Sequence, residues 1–124
     1  MNILLFTEEE ILLTTLEYRF RKNGWNLQVA DSFQKAKEKI KKRPPDLVMV
    51  DLQLPEYGGL DIIQFLHKEV DSELPILTIS SLEVESLVLE SLRLGASDFI
   101  VSPYKPDELI LRIRRLLQQR KLVE

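Results

Sequence analysis

Short apolar runs alternate with amphipathic stretches about five times along the chain, the pattern of repeated strand-helix units rather than of a helix bundle or a sandwich. The strand candidates are Asn2 to Phe6, Trp25 to Ala30, Leu47 to Val50, Ile76 to Ile79 and Phe99 to Val101. Their near-continuous apolar character, plainest in Leu47-Val48-Met49-Val50, predicts an α/β fold whose parallel sheet is covered on both faces. Helical spacing recurs between them. One stripe is Ile11, Leu12, Leu16 and Phe20; a second is Phe33, Ala36 and Ile40; a third is Ile62, Ile63, Leu66 and Val70. The fourth is Val84, Leu87, Val88, Ser91 and Leu92, and the fifth is Leu109, Ile110, Ile113, Leu116 and Leu117. Leu89 falls about 100° or more off the fourth stripe and is predicted to be exposed.

The punctuation agrees with this periodicity. Thr7 with Glu10, and Asp31 with Gln34, have capping-box spacing at helix starts. Gly24 and Gly95 stand where helices should stop, and Pro106 fits a first helical turn. The chain has 124 residues, 44% of them hydrophobic, with no internal repeat, low-complexity segment or dividing linker, so one domain is expected. The net charge of -3 is too mild to make the whole chain a nucleic-acid or anionic-membrane binder, and neither partner is expected. The lysine-rich run Lys35 to Arg43 reads as a solvated helix face. No apolar run approaches the roughly 20 residues of a membrane span and no signal peptide opens the chain, which predicts a cytoplasmic protein.

Cysteine is absent, which excludes disulfides, thiolate nucleophiles and Cys-ligated metal. The single histidine, His67, excludes multi-His metal sites and reads as a boundary residue of the third helix. Carboxylate chemistry remains. In an open parallel sheet, functional groups collect at the carboxyl ends of the strands: Thr7-Glu8-Glu9, Asp51, Ser80-Ser81 and Ser102-Pro103. Asp51 opens a loop that Pro55 and the pair Gly58-Gly59 make tight. Glu8 should face Asp51 from the neighbouring strand end, and two converging carboxylates suggest a Mg²⁺ site. Such an ion would let Asp51 act as a nucleophile toward an anionic phosphoryl group. Thr7, followed three residues on by Glu10, reads as a helix cap.

The stretch Leu47 to Asp61, LVMVDLQLPEYGGLD, resembles the phosphoacceptor strand and loop of the two-component response regulator receiver domains. Pro75 to Ser81 is similar to the family's fourth strand with its switch hydroxyl, here Ser80, and Gly95 to Leu109 to the fifth strand with its switch aromatic, here Phe99. The resemblance covers nearly the whole of residues 1-124. It implies a flavodoxin-like (βα)5 fold with sheet order 2-1-3-4-5 and helices on both faces. It further implies phosphoryl transfer from a histidine kinase or phosphotransfer protein to Asp51, with Mg²⁺ held by Glu8, Asp51 and the Gln53 backbone carbonyl. Ser80 would contact the phosphoryl group, and the Ser102-Pro103 peptide would be cis. A partner surface on the fourth helix, fifth strand and fifth helix would change, here including Leu89, Phe99 and Tyr104, for a homodimer or an output domain. No enzyme is implied beyond catalysis of the domain's own phosphorylation and dephosphorylation.

Two positions depart from the family pattern. Ser102 stands where Lys usually precedes the proline, and Thr7 stands where the first of two acids is usual. The loss of one acid and one base leaves the local formal charge unchanged. A working variant and a pseudo-receiver, binding partners without phosphorylation, both accommodate this. The helix-permissive end Gln118 to Glu124 fits a linker cut short of an output domain, and fits a stand-alone receiver almost as well.

Overall fold

A computed structural model of the chain describes residues 1–8, 13–52, 58–81 and 85–123. The elements alternate: β1 (Asn2–Phe6), α1 (Leu13–Lys22), β2 (Asn26–Ala30), α2 (Phe33–Lys42), β3 (Leu47–Asp51), α3 (Gly58–Phe65), β4 (Ile76–Ser81), α4 (Glu85–Arg93), β5 (Asp98–Ser102) and α5 (Pro106–Val123). The five strands form one parallel sheet in the order β2-β1-β3-β4-β5, as expected.

The continuous apolar strands have a direct physical purpose. Successive side chains point to opposite faces, so a strand covered on both sides must be apolar at every position. Leu4, Phe6, Val48, Val50 and Ile76 enter one core with Ala36 and Ile40 of α2, Ile62 and Ile63 of α3 and Val88 of α4. Ile3, Leu5, Leu47, Met49, Leu77 and Ile79 enter the other, with Leu16 and Phe20 of α1 and Leu109, Ile110, Ile113, Leu116 and Leu117 of α5.

The helix stops behave as expected. At the end of α1 the Gly24 N–H donates to Arg21 O and the Trp25 N–H to Phe20 O, with Gly24 at φ +75. This is the Schellman arrangement, and its usual apolar contact is the edge-on packing of Trp25 against Phe20. Trp25 therefore belongs to the helix end, and β2 begins one residue later than its apolar run. Gly95, at φ +114, closes α4 in the same way through Gly95 N–H to Leu92 O and Ala96 N–H to Ser91 O.

Four sequence expectations are corrected. The cap of α2 is Ser32, whose Oγ accepts from the Lys35 N–H at 3.2 Å; the Asp31 carboxylate is taken by Lys35 Nζ at 3.0 Å instead. Gly58 and Gly59 are the first residues of α3, not part of the preceding loop. A Cβ on Gly59 would lie 2.8 Å from Leu52 and 2.9 Å from Val50, so its glycine permits the close approach of α3 to the end of β3. Leu92 is exposed, because the buried side of α4 is Val88 and Ser91 with Leu87 partly covered. Finally, α3 does not run regularly to Val70. Leu66–Val70 is a π-helical turn closed by the Asp71 N–H donating to Leu66 O at 2.9 Å, five residues back.

His67 lies in that turn. Its Nε2 is 3.2 Å from Leu74 O, and its ring stands where a Cβ on Gly95 would point. The far end of the domain is further tied by Arg120 of α5, 2.6 Å from Asp71. The Glu73 N–H holds the Asp71 carboxyl below its ordinary range against the opposing effect of burial, with Arg120 adding to the lowering.

Candidate functional site

The register of the sheet builds the site. Ile3 pairs with Leu47 and Phe6 with Val50, so the next residues along, Thr7 and Asp51, lie opposite one another at the carboxyl ends of β1 and β3. Both continue the alternation of residues that face α1 and α5. The Thr7 Oγ1 donates to Asp51 Oδ2 at 3.1 Å, and the Thr7 N–H donates to Ala30 O at 3.0 Å. Asp51 is 8% exposed and Thr7 5%. Thr7 is therefore a donor into the acid site, a role its cap-like spacing conceals; Glu10, the other half of that spacing, lies outside the described residues. The structure brings Thr7 rather than Glu8 onto Asp51, and Glu8 is exposed beside them.

On the neighbouring strand, Asp51 pairs with Ile79, and Ser80 follows. Ser80 is 1% exposed, and its Oγ has no hydrogen-bond partner among the described residues. A buried hydroxyl without a partner costs free energy, on the order of 1–3 kcal/mol, unless a ligand satisfies it. Ser102 ends β5 on the same sheet face as Ile100, half-buried, and the Ser102–Pro103 peptide is cis. Gln53, named for its carbonyl, lies outside the described residues.

Toward the α4 side the sheet carries Thr78 opposite Phe99. Phe99 is 36% exposed and Leu89 on α4 is 61% exposed, as its helical position requires. Tyr104 is half-buried against the α1-α5 core, so most of it serves packing. Sequence reading missed one polar pair here. Thr78 Oγ1 lies 3.5 Å from Ser91 Oγ, both fully buried, and Ser91 Oγ donates to Val88 O at 2.7 Å. Ser91 breaking an otherwise apolar stripe is the signal that could have found it.

Among the described residues no three of His, Cys, Asp or Glu stand together to hold a metal. Two oxygen acids, Glu8 and Asp51, remain at the strand ends, and such a donor set fits Mg²⁺, which commonly takes one or two carboxylates and keeps several waters.

This geometry has known counterparts. The profile of the response regulator receiver domain matches residues 3–114. The chain belongs to that family. It is 28% identical over 121 residues to the alkaline phosphatase synthesis transcriptional regulatory protein PhoP of Bacillus subtilis, covering 98% of this chain and 50% of PhoP. It is 31% identical over 113 residues to the transcriptional regulatory protein KdpE of Staphylococcus aureus, covering 91% of this chain and 48% of KdpE. The crystal structure of the receiver domain of NtrX from Brucella abortus superposes with a TM-score of 0.86 at 30% identity, over 94% of this chain and 98% of that one. The chain thus spans about half the length of the curated relatives it matches. It is a receiver domain of the two-component response regulators, a family of signalling rather than enzymatic domains, whose members generally bind Mg²⁺. No helix among the described residues is long and apolar enough to cross a membrane.

Proposed function

We infer that this receiver is a phosphoryl-accepting switch in a cytoplasmic phosphorelay, with Asp51 as the nucleophile. The observation that carries this reading is a buried Asp51 whose register partner on β4, Ile79, is followed directly by Ser80, a buried hydroxyl without a hydrogen-bond partner among the described residues. A phosphoryl group on Asp51 would supply acceptor oxygens for the Ser80 hydroxyl. Glu8, Asp51 and the Gln53 carbonyl are the oxygens that would hold Mg²⁺. When bound, the ion neutralises charge on the phosphoryl oxygens. The donor is a histidine kinase or a phosphotransfer protein. The expected result with a small-molecule phosphodonor and Mg²⁺ is the intact mass of one added phosphoryl group, absent from Asp51→Asn and absent without Mg²⁺. No gain in the natural chain would contradict the reading.

One observation favours the alternative of a pseudo-receiver: at the end of β5 the neutral Ser102 stands where the family has lysine. Partner binding that Asp51→Asn leaves unaltered would establish that alternative.

The output surface is proposed to lie on α4, β5 and α5, through Leu89 and Phe99 with Tyr104 at its edge. Its occupant is a second copy of the chain or an output domain. Burial of one leucine side chain contributes about 1.5–3 kcal/mol. Leu89→Asp is therefore expected to weaken self-association of the phosphorylated protein roughly ten- to a hundredfold in sedimentation experiments. Unchanged association would remove Leu89 from the surface.

A further inference from the structure

We propose that Thr7 sets the lifetime of the phosphoryl group on Asp51, because its hydroxyl stabilises the carboxylate that hydrolysis releases. The inference rests on the reading of Asp51 as the phosphoryl acceptor. Its geometrical basis is the 3.1 Å donation from Thr7 Oγ1 to Asp51 Oδ2, between two buried side chains that the sheet register sets opposite one another. Thr7 is held there from two directions: its N–H is tied to Ala30 O on β2, and its branched Cβ restricts the side-chain rotation.

With Oδ2 occupied by the Thr7 proton, Oδ1 is the oxygen assigned to phosphorus. On transfer from an acyl phosphate such as acetyl phosphate, an Oδ1–P bond forms while the P–O bond to the acetyl group breaks, and acetate leaves with the electron pair. Oδ2 then becomes the carbonyl oxygen of an aspartyl phosphate, and Thr7 keeps its proton throughout. In hydrolysis, a water oxygen bonds to phosphorus as the P–Oδ1 bond breaks. That electron pair returns to Asp51 as carboxylate, and both water protons leave on dihydrogen phosphate.

The Thr7 hydrogen bond is therefore to a charged acceptor at rest and to a neutral one in the phosphorylated state. Hydrogen bonds to charged groups are the stronger, by roughly 1 kcal/mol, which corresponds to about a fivefold change in rate. Because phosphoryl transfer passes through a loose transition state, most of the charge on the departing carboxylate has developed there. Thr7 thus favours release of the phosphoryl group. A paired acid at this position, as in the family pattern, cannot donate in this way when ionised.

The test follows loss of the phosphoryl group by intact mass in one Mg²⁺-containing buffer after phosphodonor is removed. The natural chain is compared with Thr7→Val, of similar shape without the hydroxyl, and Thr7→Ser, which keeps it. Thr7→Val is expected to lengthen the half-life about fivefold, with Thr7→Ser close to the natural chain. Equal half-lives in all three, or an equal lengthening in Thr7→Ser, would overturn the proposal while leaving Asp51 as acceptor. Failure of all three to gain a phosphoryl group would overturn the acceptor reading and the proposal with it. Should Thr7→Val not fold, as judged by circular dichroism, the threonine-valine comparison is replaced by Thr7→Ala. That side chain also lacks the hydroxyl and is expected to lengthen the half-life about fivefold; an unchanged half-life would overturn the proposal.

Discussion

Gly95→Ala is expected to destabilise the domain by about 2–4 kcal/mol in urea denaturation. Two independent terms contribute. The φ of +114 is a conformation that side chains with a Cβ rarely adopt. In addition, the new Cβ would lie 2.5 Å from His67 Nδ1 and 2.6 Å from Cε1. The ring cannot swing clear without giving up its bond to Leu74 O. Gly24 supplies the control: it closes α1 with the same motif at φ +75, but nothing lies within 4 Å of a Cβ there. Gly24→Ala should cost only the backbone term, about 1–2 kcal/mol. Equal losses at the two glycines would show that His67 does not press on Gly95.

Ser102→Lys is expected to accelerate phosphoryl uptake by Asp51 roughly ten- to a hundredfold. Ser102 ends β5 on the sheet face it shares with Ile100, the face from which Asp51 and Thr7 project at the ends of β3 and β1. A lysine there adds a cation to a site whose described acids are Glu8 and Asp51, and a charge-assisted hydrogen bond of about 1.5–3 kcal/mol corresponds to that range of rates. The rate is read from the intact mass against time at fixed phosphodonor. An unchanged rate would mean that another group already fills the role of the missing lysine.

Most of the architecture was legible because it follows from local periodicity. Strands covered on both faces are apolar throughout, and the helices between them carry one stripe each, so Leu47-Val48-Met49-Val50 or Leu109 to Leu117 could be assigned residue by residue. What escaped was whatever depends on partners distant in the chain. Asp31 and Ser32 are both competent caps, and the choice fell to Ser32 because Lys35 draws the aspartate away. The contact of His67 with Gly95 joins two helix ends across the α3-α4 layer, and no local rule announces it. Thr7 is the sharpest case. Its spacing to Glu10 satisfies a capping rule, whereas its actual proton acceptor lies 44 residues away and is found only once the register Ile3 to Leu47 is known. The position of Asp51 was legible from its strand and from the motif around it; the donor on Oδ2 was not.

The most direct test of Asp51 as the phosphoryl acceptor is chemical trapping. The chain is incubated with acetyl phosphate and Mg²⁺, reduced with borohydride and cleaved into peptides for mass spectrometry. An aspartyl phosphate is a mixed anhydride that borohydride reduces, so the expected product is homoserine in place of Asp51, in the natural chain and not in Asp51→Asn. A phosphoryl group that survives reduction as an ester on Ser80, Ser102 or Thr7, or a chain that carries none, would contradict the assignment.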